Sequence, residues 1–143
     1  MINKIPWEIK KTVMPQQADH AGVMWHGSYL NWLEESRIKA LEQSGLNYSE
    51  LLNRNFELPV SSLTIKYKAP VYINDEISIN SYFELSRGPK ISIHSKFITK
   101  NKRISTEANV NLVLIRKDNF SIVRRRPEFI EEAFKRLIQG PQQ

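Results

Sequence analysis

The chain has 143 residues, with 21 Lys plus Arg against 15 Asp plus Glu, no Cys and 41% apolar residues, which predicts one globular domain over residues 1–143. Without cysteine, a disulfide scaffold, a thiolate nucleophile, a thiolate zinc site and cysteine-ligated iron–sulfur clusters are excluded, so any chemistry uses oxygen and nitrogen groups. The formal charge of +6 favours an anionic partner and leaves nucleic acid, an acidic lipid surface and a phosphorylated cofactor open. The start, Met1 to Lys11, has no apolar run of signal-peptide length, and no stretch nears the roughly 18 apolar residues of a membrane span; this predicts a soluble, cytoplasmic protein.

Trp7, Ile9 and Val13 alternate with Glu8, Lys10 and Thr12, the period of a half-buried strand, which Pro15 ends. A polar stretch from Gln16 to Gly27 follows. From Tyr29 the spacing becomes helical, with Tyr29, Leu30, Trp32, Leu33, Ala40 and Leu41 on one apolar side, Glu35 four residues before Lys39 on the polar side, and Gly45 as terminator. After a connection around Asn53 to Asn55, the pattern returns to alternation.

Leu63, Ile65 and Tyr67 form one apolar face, Ile77, Ile79 and Phe83 a second, Ile91, Ile93 and Phe97 a third, and Ile104, Ala108, Val110, Leu112 and Leu114 a fourth. Pro70, Arg87-Gly88-Pro89-Lys90 and Asn101-Lys102 separate them, and these short connections predict antiparallel neighbours. Pro127 suits a first helical position before Phe129, Ile130, Ala133, Phe134, Leu137 and Ile138, a short amphipathic helix. One sheet and one long helix bury their apolar faces most simply if the sheet curls around the helix, an α+β architecture of the hotdog type with a short C-terminal helix.

The stretch that carries chemistry is Gln17-Ala18-Asp19-His20-Ala21-Gly22-Val23-Met24-Trp25-His26-Gly27-Ser28-Tyr29, continued by Leu30-Asn31-Trp32-Leu33-Glu34-Glu35-Ser36-Arg37. It resembles the signature of the 4-hydroxybenzoyl-CoA thioesterase family, including the YbgC-like acyl-CoA thioesterases: an Asp, a turn containing Gly-Val, a His or Tyr, then Tyr-Leu and a helix reading Phe/Trp-x-Glu-x-x-Arg. Leu58-Pro59-Val60, Tyr67-Lys68-Ala69-Pro70 and Asn74-Asp75-Glu76 also resemble that family, so the likeness runs from about Trp7 to Leu114. Ala18 stands where Thr or Cys is common, and Asn74 where Gly is common; Asn also tolerates the left-handed conformation.

The resemblance implies a hotdog acyl-CoA thioesterase that releases free acid and coenzyme A. Asp19 is the expected catalytic carboxylate, as nucleophile or general base, and the backbone N–H of His26 the group that polarises the carbonyl. Gly22, Val23, Trp25 and Tyr29 are expected around the substrate, with Trp25, Tyr29 and Trp32 read as core or pocket wall. The physics of the stretch agrees: a turn between Asp19 and His26 can bring a carboxylate toward unpaired helix-start amides able to hold a developing oxyanion. Asp19 could instead be a cap or turn residue, in which case Glu34 or Glu35 on the helix is the fallback carboxylate.

No cofactor is expected beyond the coenzyme A of the substrate. No metal is expected either, because His20 and His26 are wrongly spaced for ligands and His94 lies in a strand. Lys100-Lys102-Arg103 and Arg124-Arg125-Arg126 are two candidate clusters for the coenzyme A phosphates. A dimer or tetramer is expected. Alternative functions are another hotdog enzyme such as a dehydratase, and a non-catalytic protein that binds acyl-CoA or nucleic acid; nucleic acid has only the net charge in its favour, with no recognisable binding motif.

Overall fold

The computed structural model describes residues 5–86 and 88–141; Arg87 of the predicted turn and the first four residues of the predicted start lie outside that range. β1 (Trp7–Thr12) leads through a single 3-10 turn, Pro15–Gln17, to the long helix α1 (His26–Gln43). Then follow α2 (Tyr48–Asn53), β2 (Phe56–Glu57), β3 (Val60–Tyr67), β4 (Glu76–Leu85), β5 (Lys90–Thr99), β6 (Ile104–Val113), β7 (Ile115–Arg116) and α3 (Glu128–Gln139). No helix among the described residues is long and apolar enough to cross a membrane.

The five longer strands form one antiparallel sheet in the order β1-β4-β5-β6-β3, and β2 pairs with β7 beside it. β4–β5 and β5–β6 are neighbours, as their short turns predict. β3 and β4 are not: β3 pairs with β6 at one edge, and residues 68–75 cross from that edge toward β4. Pro70 therefore ends a strand without making a hairpin. The crossing passes the start of α1, where Met24 N–H donates to the Val71 carbonyl at 2.7 Å and Ile73 N–H to the Gly22 carbonyl at 3.0 Å. At its far end Asn74 has φ 73°, the left-handed geometry that Asn accepts where Gly is common.

The helix begins at His26, three residues before its apolar stripe. Tyr29, Trp32, Leu33, Ala40 and Leu41 are buried as the spacing predicts, whereas Leu30 is 44% exposed: it lies about 100° around the helix from Tyr29, where the described residues leave the side of the helix open. After the C-cap at Ser44, Gly45 takes φ 91°, with Gly45 N–H on the Glu42 carbonyl and Leu46 N–H on the Leu41 carbonyl, the paired bonds that close a helix at a left-handed residue. α2 sits where the sequence reads as a connection. It is six residues long, too short for a periodic signal, and Asn47 caps it by accepting from Glu50 N–H at 2.7 Å.

Pro127 is the residue before α3 rather than its first residue, because its ψ of 156° is extended. Ile130, Ala133, Phe134 and Leu137 then close the far end of the core, and Trp7 Nε1–H donates to the Leu137 carbonyl at 2.9 Å. Ile77, Ile79, Phe83, Ile91, Ile93, Phe97, Ala108, Val110 and Leu112 form the inner face of the sheet under α1. Between them Ser36, Ser81 and Ser95 form a buried hydroxyl chain, with Oγ–Oγ distances of 3.1 and 2.7 Å. The predicted inner face of β3 is the exception: Leu63 and Tyr67 are 40% and 53% exposed and Ile65 is half-buried.

Candidate functional site

Residues 18–24 form a closed loop. Ala18 bridges to Met24, Asp19 N–H donates to the Val23 carbonyl at 2.8 Å, and Gly22 N–H donates back to the Asp19 carbonyl at 3.0 Å. Gly22 has φ 77°, the conformation glycine adopts without steric cost. The Asp19 side chain points into its own loop: Oδ1 accepts from Ala21 N–H at 2.8 Å and Val23 N–H at 3.2 Å. Oδ2 has no hydrogen-bond partner among the described residues, and the residue is exposed.

The loop feeds directly into α1. Trp25 N–H and Ser28 Oγ–H both donate to the Gln17 carbonyl, at 2.8 and 3.1 Å, which fixes the entry angle of the helix. No side chain caps that entry, and among the described residues the amides of His26 and Gly27 donate to nothing. Unpaired amides at a helix start carry the positive end of the helix dipole. Beside them lies a mainly apolar cleft of about 320 Å³, lined by Val23, Met24, His26, Tyr29, Tyr67, Lys68, Ala69 and Pro70.

Of the residues expected around a substrate, Val23, His26 and Tyr29 line this cleft; Asp19, Gly22 and Trp25 do not. Trp25 is 49% exposed and lies against the His26 ring, centroids 5.1 Å apart. Burial pushes the Tyr29 hydroxyl pKa up, with Tyr67 adding to the rise and a hydrogen bond with Thr106 opposing it, so Tyr29 stays a neutral wall at ordinary pH. Its ring meets Tyr67 edge-on at 5.1 Å and Phe97 at 5.2 Å. Lys68, on the rim, pairs with Glu107 at 3.0 Å. Met24, Gly27 and the wall Tyr67-Lys68-Ala69-Pro70 carry no signal of their own as site residues in the sequence; the wall is visible there only through the likeness to the family.

The fallback carboxylates lie away from the cleft. Glu35 faces β1, bonded to Lys11 at 3.1 Å and Lys39 at 3.3 Å. Partial burial raises its pKa, but the hydrogen bonds and charges of the two lysines outweigh that and hold the carboxyl below its usual range. Glu34 is exposed on the opposite flank. His20 is exposed and His94 bonds Asn109 on the outer sheet face; among the described residues no cluster of His, Asp and Glu could hold a metal.

A second groove, of about 680 Å³, shares Ala69 and Pro70 with the cleft and runs to Lys100 and Arg103 on the β5–β6 hairpin. The other basic cluster is partly committed to the fold: Arg126 bonds Glu131 at 2.6 Å and the Gly88 carbonyl at 2.7 Å. Only Arg124 and Arg125 of that triplet are exposed.

The profile of the thioesterase-like superfamily matches residues 13–136. The chain belongs to that superfamily. An Escherichia coli relative, the acyl-CoA thioester hydrolase YbgC, is 23% identical over 109 residues, 76% of this chain and 80% of its own. A DHNA-CoA thioesterase from Staphylococcus aureus superposes with a TM-score of 0.82 at 19% identity, covering 94% of this chain and 89% of its own. Another Staphylococcus aureus protein, solved in complex with CoA, superposes with a TM-score of 0.87 at 14% identity, covering 100% and 89%. The fold is the hotdog fold, and the chain is an enzyme of the thioester hydrolase class, as the motif and the order of elements imply.

Proposed function

We propose that the chain hydrolyses an acyl-CoA thioester to a free acid and coenzyme A, without a resident cofactor. The observation that carries this reading is the pair of unpartnered amides, His26 and Gly27, beside an apolar cleft of about 320 Å³. The acyl group occupies the cleft, and its thioester oxygen accepts from the His26 N–H, which strengthens as negative charge develops there. Two amides of the loop hold Asp19 through Oδ1 and leave Oδ2 for the reaction. As a general base, Oδ2 takes a proton from water while the water oxygen bonds to the carbonyl carbon; collapse of the adduct breaks the C–S bond and releases the thiolate, which is then protonated. As a nucleophile, Oδ2 bonds to the carbonyl carbon and expels the thiolate, and water then opens the mixed anhydride.

The coenzyme A arm is assigned to the adjoining groove, past Ala69 and Pro70, with its phosphates near Lys100 and Arg103. The bonds of Arg126 within the chain favour this end over the 124–126 cluster. A dimer completes the site. Edge strand β3 exposes Val60, Leu63 and Tyr67 at 47%, 40% and 53%, and an edge of that kind calls for a partner; pairing β3 of two copies would lay a second chain beside the cleft wall that Tyr67 forms. The enzyme is assigned to the cytoplasm. Release of free thiol from a panel of aromatic and aliphatic acyl-CoA esters tests the reaction and identifies the acyl class together. A folded protein that binds these esters without turnover would instead be a binding protein.

A further inference from the structure

Arg37 is only 8% exposed, its Nε is buried without a partner, and its guanidinium makes no ion pair or hydrogen bond among the described residues. Nη1 and Nη2 keep some contact with water while Nε is closed off from it; an unpaired buried donor on a cation is unfavourable, and a carboxylate from a second copy would relieve it. Its place on α1 says where that group comes from. The Glu35 flank faces β1; Leu30, Glu34, Arg37 and Leu41 lie on the other flank, at helical spacings of three and four. That flank turns away from β1, and β3 is the opposite edge of the sheet from β1. Glu34, three residues before Arg37, is exposed and likewise has no ion-pair partner among the described residues.

We infer that Glu34 and Arg37 form two reciprocal ion pairs across the interface between two copies of this chain. The inference rests on the β3 pairing proposed above. A two-fold axis perpendicular to the sheet keeps both α1 helices on one face and turns the same flank of each toward the other, so a residue that meets a second residue is met by it in return. The level of the axis fits. α1 runs antiparallel to β3, since Tyr29 packs near Tyr67 while Leu41 shares a core cluster with Leu112, the partner of Val60. The midpoint of β3, between Leu63 and Thr64, is about 12 Å from Tyr67 at ~3.3 Å per residue. The same length along α1 from Tyr29, at ~1.5 Å per residue, ends between Ser36 and Arg37. Glu34 and Arg37 thus stand near the level of the axis along the strand direction, with opposite charge, and exposed Leu30 lies one turn before Glu34 on the same flank.

Native mass spectrometry and sedimentation of the full chain test this by exchange of charges between copies. Glu34→Lys sets like charges against Arg37 of the other copy, and Arg37→Glu sets two carboxylates together; each raises the dimer dissociation constant about tenfold or more. An equimolar mixture of these two variants, one carrying a mass tag, restores both pairs, and heterodimers predominate with near wild-type affinity. Charges that interact only within one chain would not be rescued by mixing. Circular dichroism checks folding, and Glu34→Lys, at an exposed position, keeps the test decisive even where Arg37→Glu fails to fold. A dimeric wild type with a Glu34→Lys dissociation constant within about twofold of its own, or without rescue in the mixture, overturns the ion pairs alone. A monomeric wild type overturns the β3 dimer as well, while the thioesterase reading is tested separately by thiol release.

Discussion

The indole of Trp25 fills the space that a side chain on Gly27 would need: a Cβ there would lie 2.1 Å from Cζ3 and 2.2 Å from Cη2 of the ring. The second residue of α1 is therefore glycine because the residue before the helix folds over it. The two flank His26, whose N–H is assigned to the oxyanion.

Gly27→Ala drives the Trp25 ring outward. Because that ring is already 49% exposed and alanine favours a helix over glycine by about 1 kcal/mol, stability is expected to change by no more than about that amount. Trp7 and Trp32 are 5% and 3% exposed, so the change appears in the most quenchable part of the tryptophan emission. Acrylamide quenching equal to wild type would show that the ring had not moved.

The bracket of Glu35 with Lys11 and Lys39 gives a pH prediction. Its folded pKa lies below its ordinary value of 4.5, so the bracket stabilises the fold above that pH, and the contribution is lost as pH falls through the lower folded value. Glu35→Gln should thus lower the melting temperature at pH 7 and lower it progressively less as the pH falls from 4.5 toward 3, so that the pH dependence of melting flattens. An equal loss at both values would mean that the effect is packing and not charge.

Much of this architecture is legible in the sequence because alternation and helical spacing report burial within one chain. Phe83, Ile91 and Phe97 are inside for that reason. Ser81 and Ser95 are inside too, although a periodicity of apolar residues passes over them; their burial depends on a hydroxyl partner, Ser36, supplied by a distant helix. Leu63, Tyr67 and Leu30 read as inner residues and are exposed in the single chain, as expected if a second copy covers them. The placement of β3 was hidden because a short connection looks the same whether it turns or crosses. At the site, Asp19, His26 and Gly22 were visible as a motif. The cleft wall Tyr67-Lys68-Ala69-Pro70 is visible in the sequence only through the likeness to the family, since its place beside α1 depends on that crossing.

Phosphate recognition predicts a difference in salt dependence. Raising ionic strength should weaken binding of an acyl-CoA far more than binding of the matching pantetheine thioester, because screening acts on exposed phosphate contacts. Lys100→Ala combined with Arg103→Ala should remove most of that difference, whereas Arg124→Ala with Arg125→Ala should leave it in place. The reverse pattern would move the nucleotide to the other end of the fold.

Asp19 is assigned the chemistry, beyond its part in the turn. Asp19→Asn keeps the size and one acceptor oxygen, so the loop should retain its amide contacts and the protein its fold and its affinity for acyl-CoA. It removes the oxygen that attacks or takes the proton. Measured by thiol release at saturating acyl-CoA, with binding followed separately, kcat should fall about a hundredfold or more, while loss of a cap alone would cost about 1 kcal/mol of stability and leave kcat unchanged. A folded Asp19→Asn protein that turns over at near the wild-type rate would leave Asp19 a turn residue with no part in the chemistry.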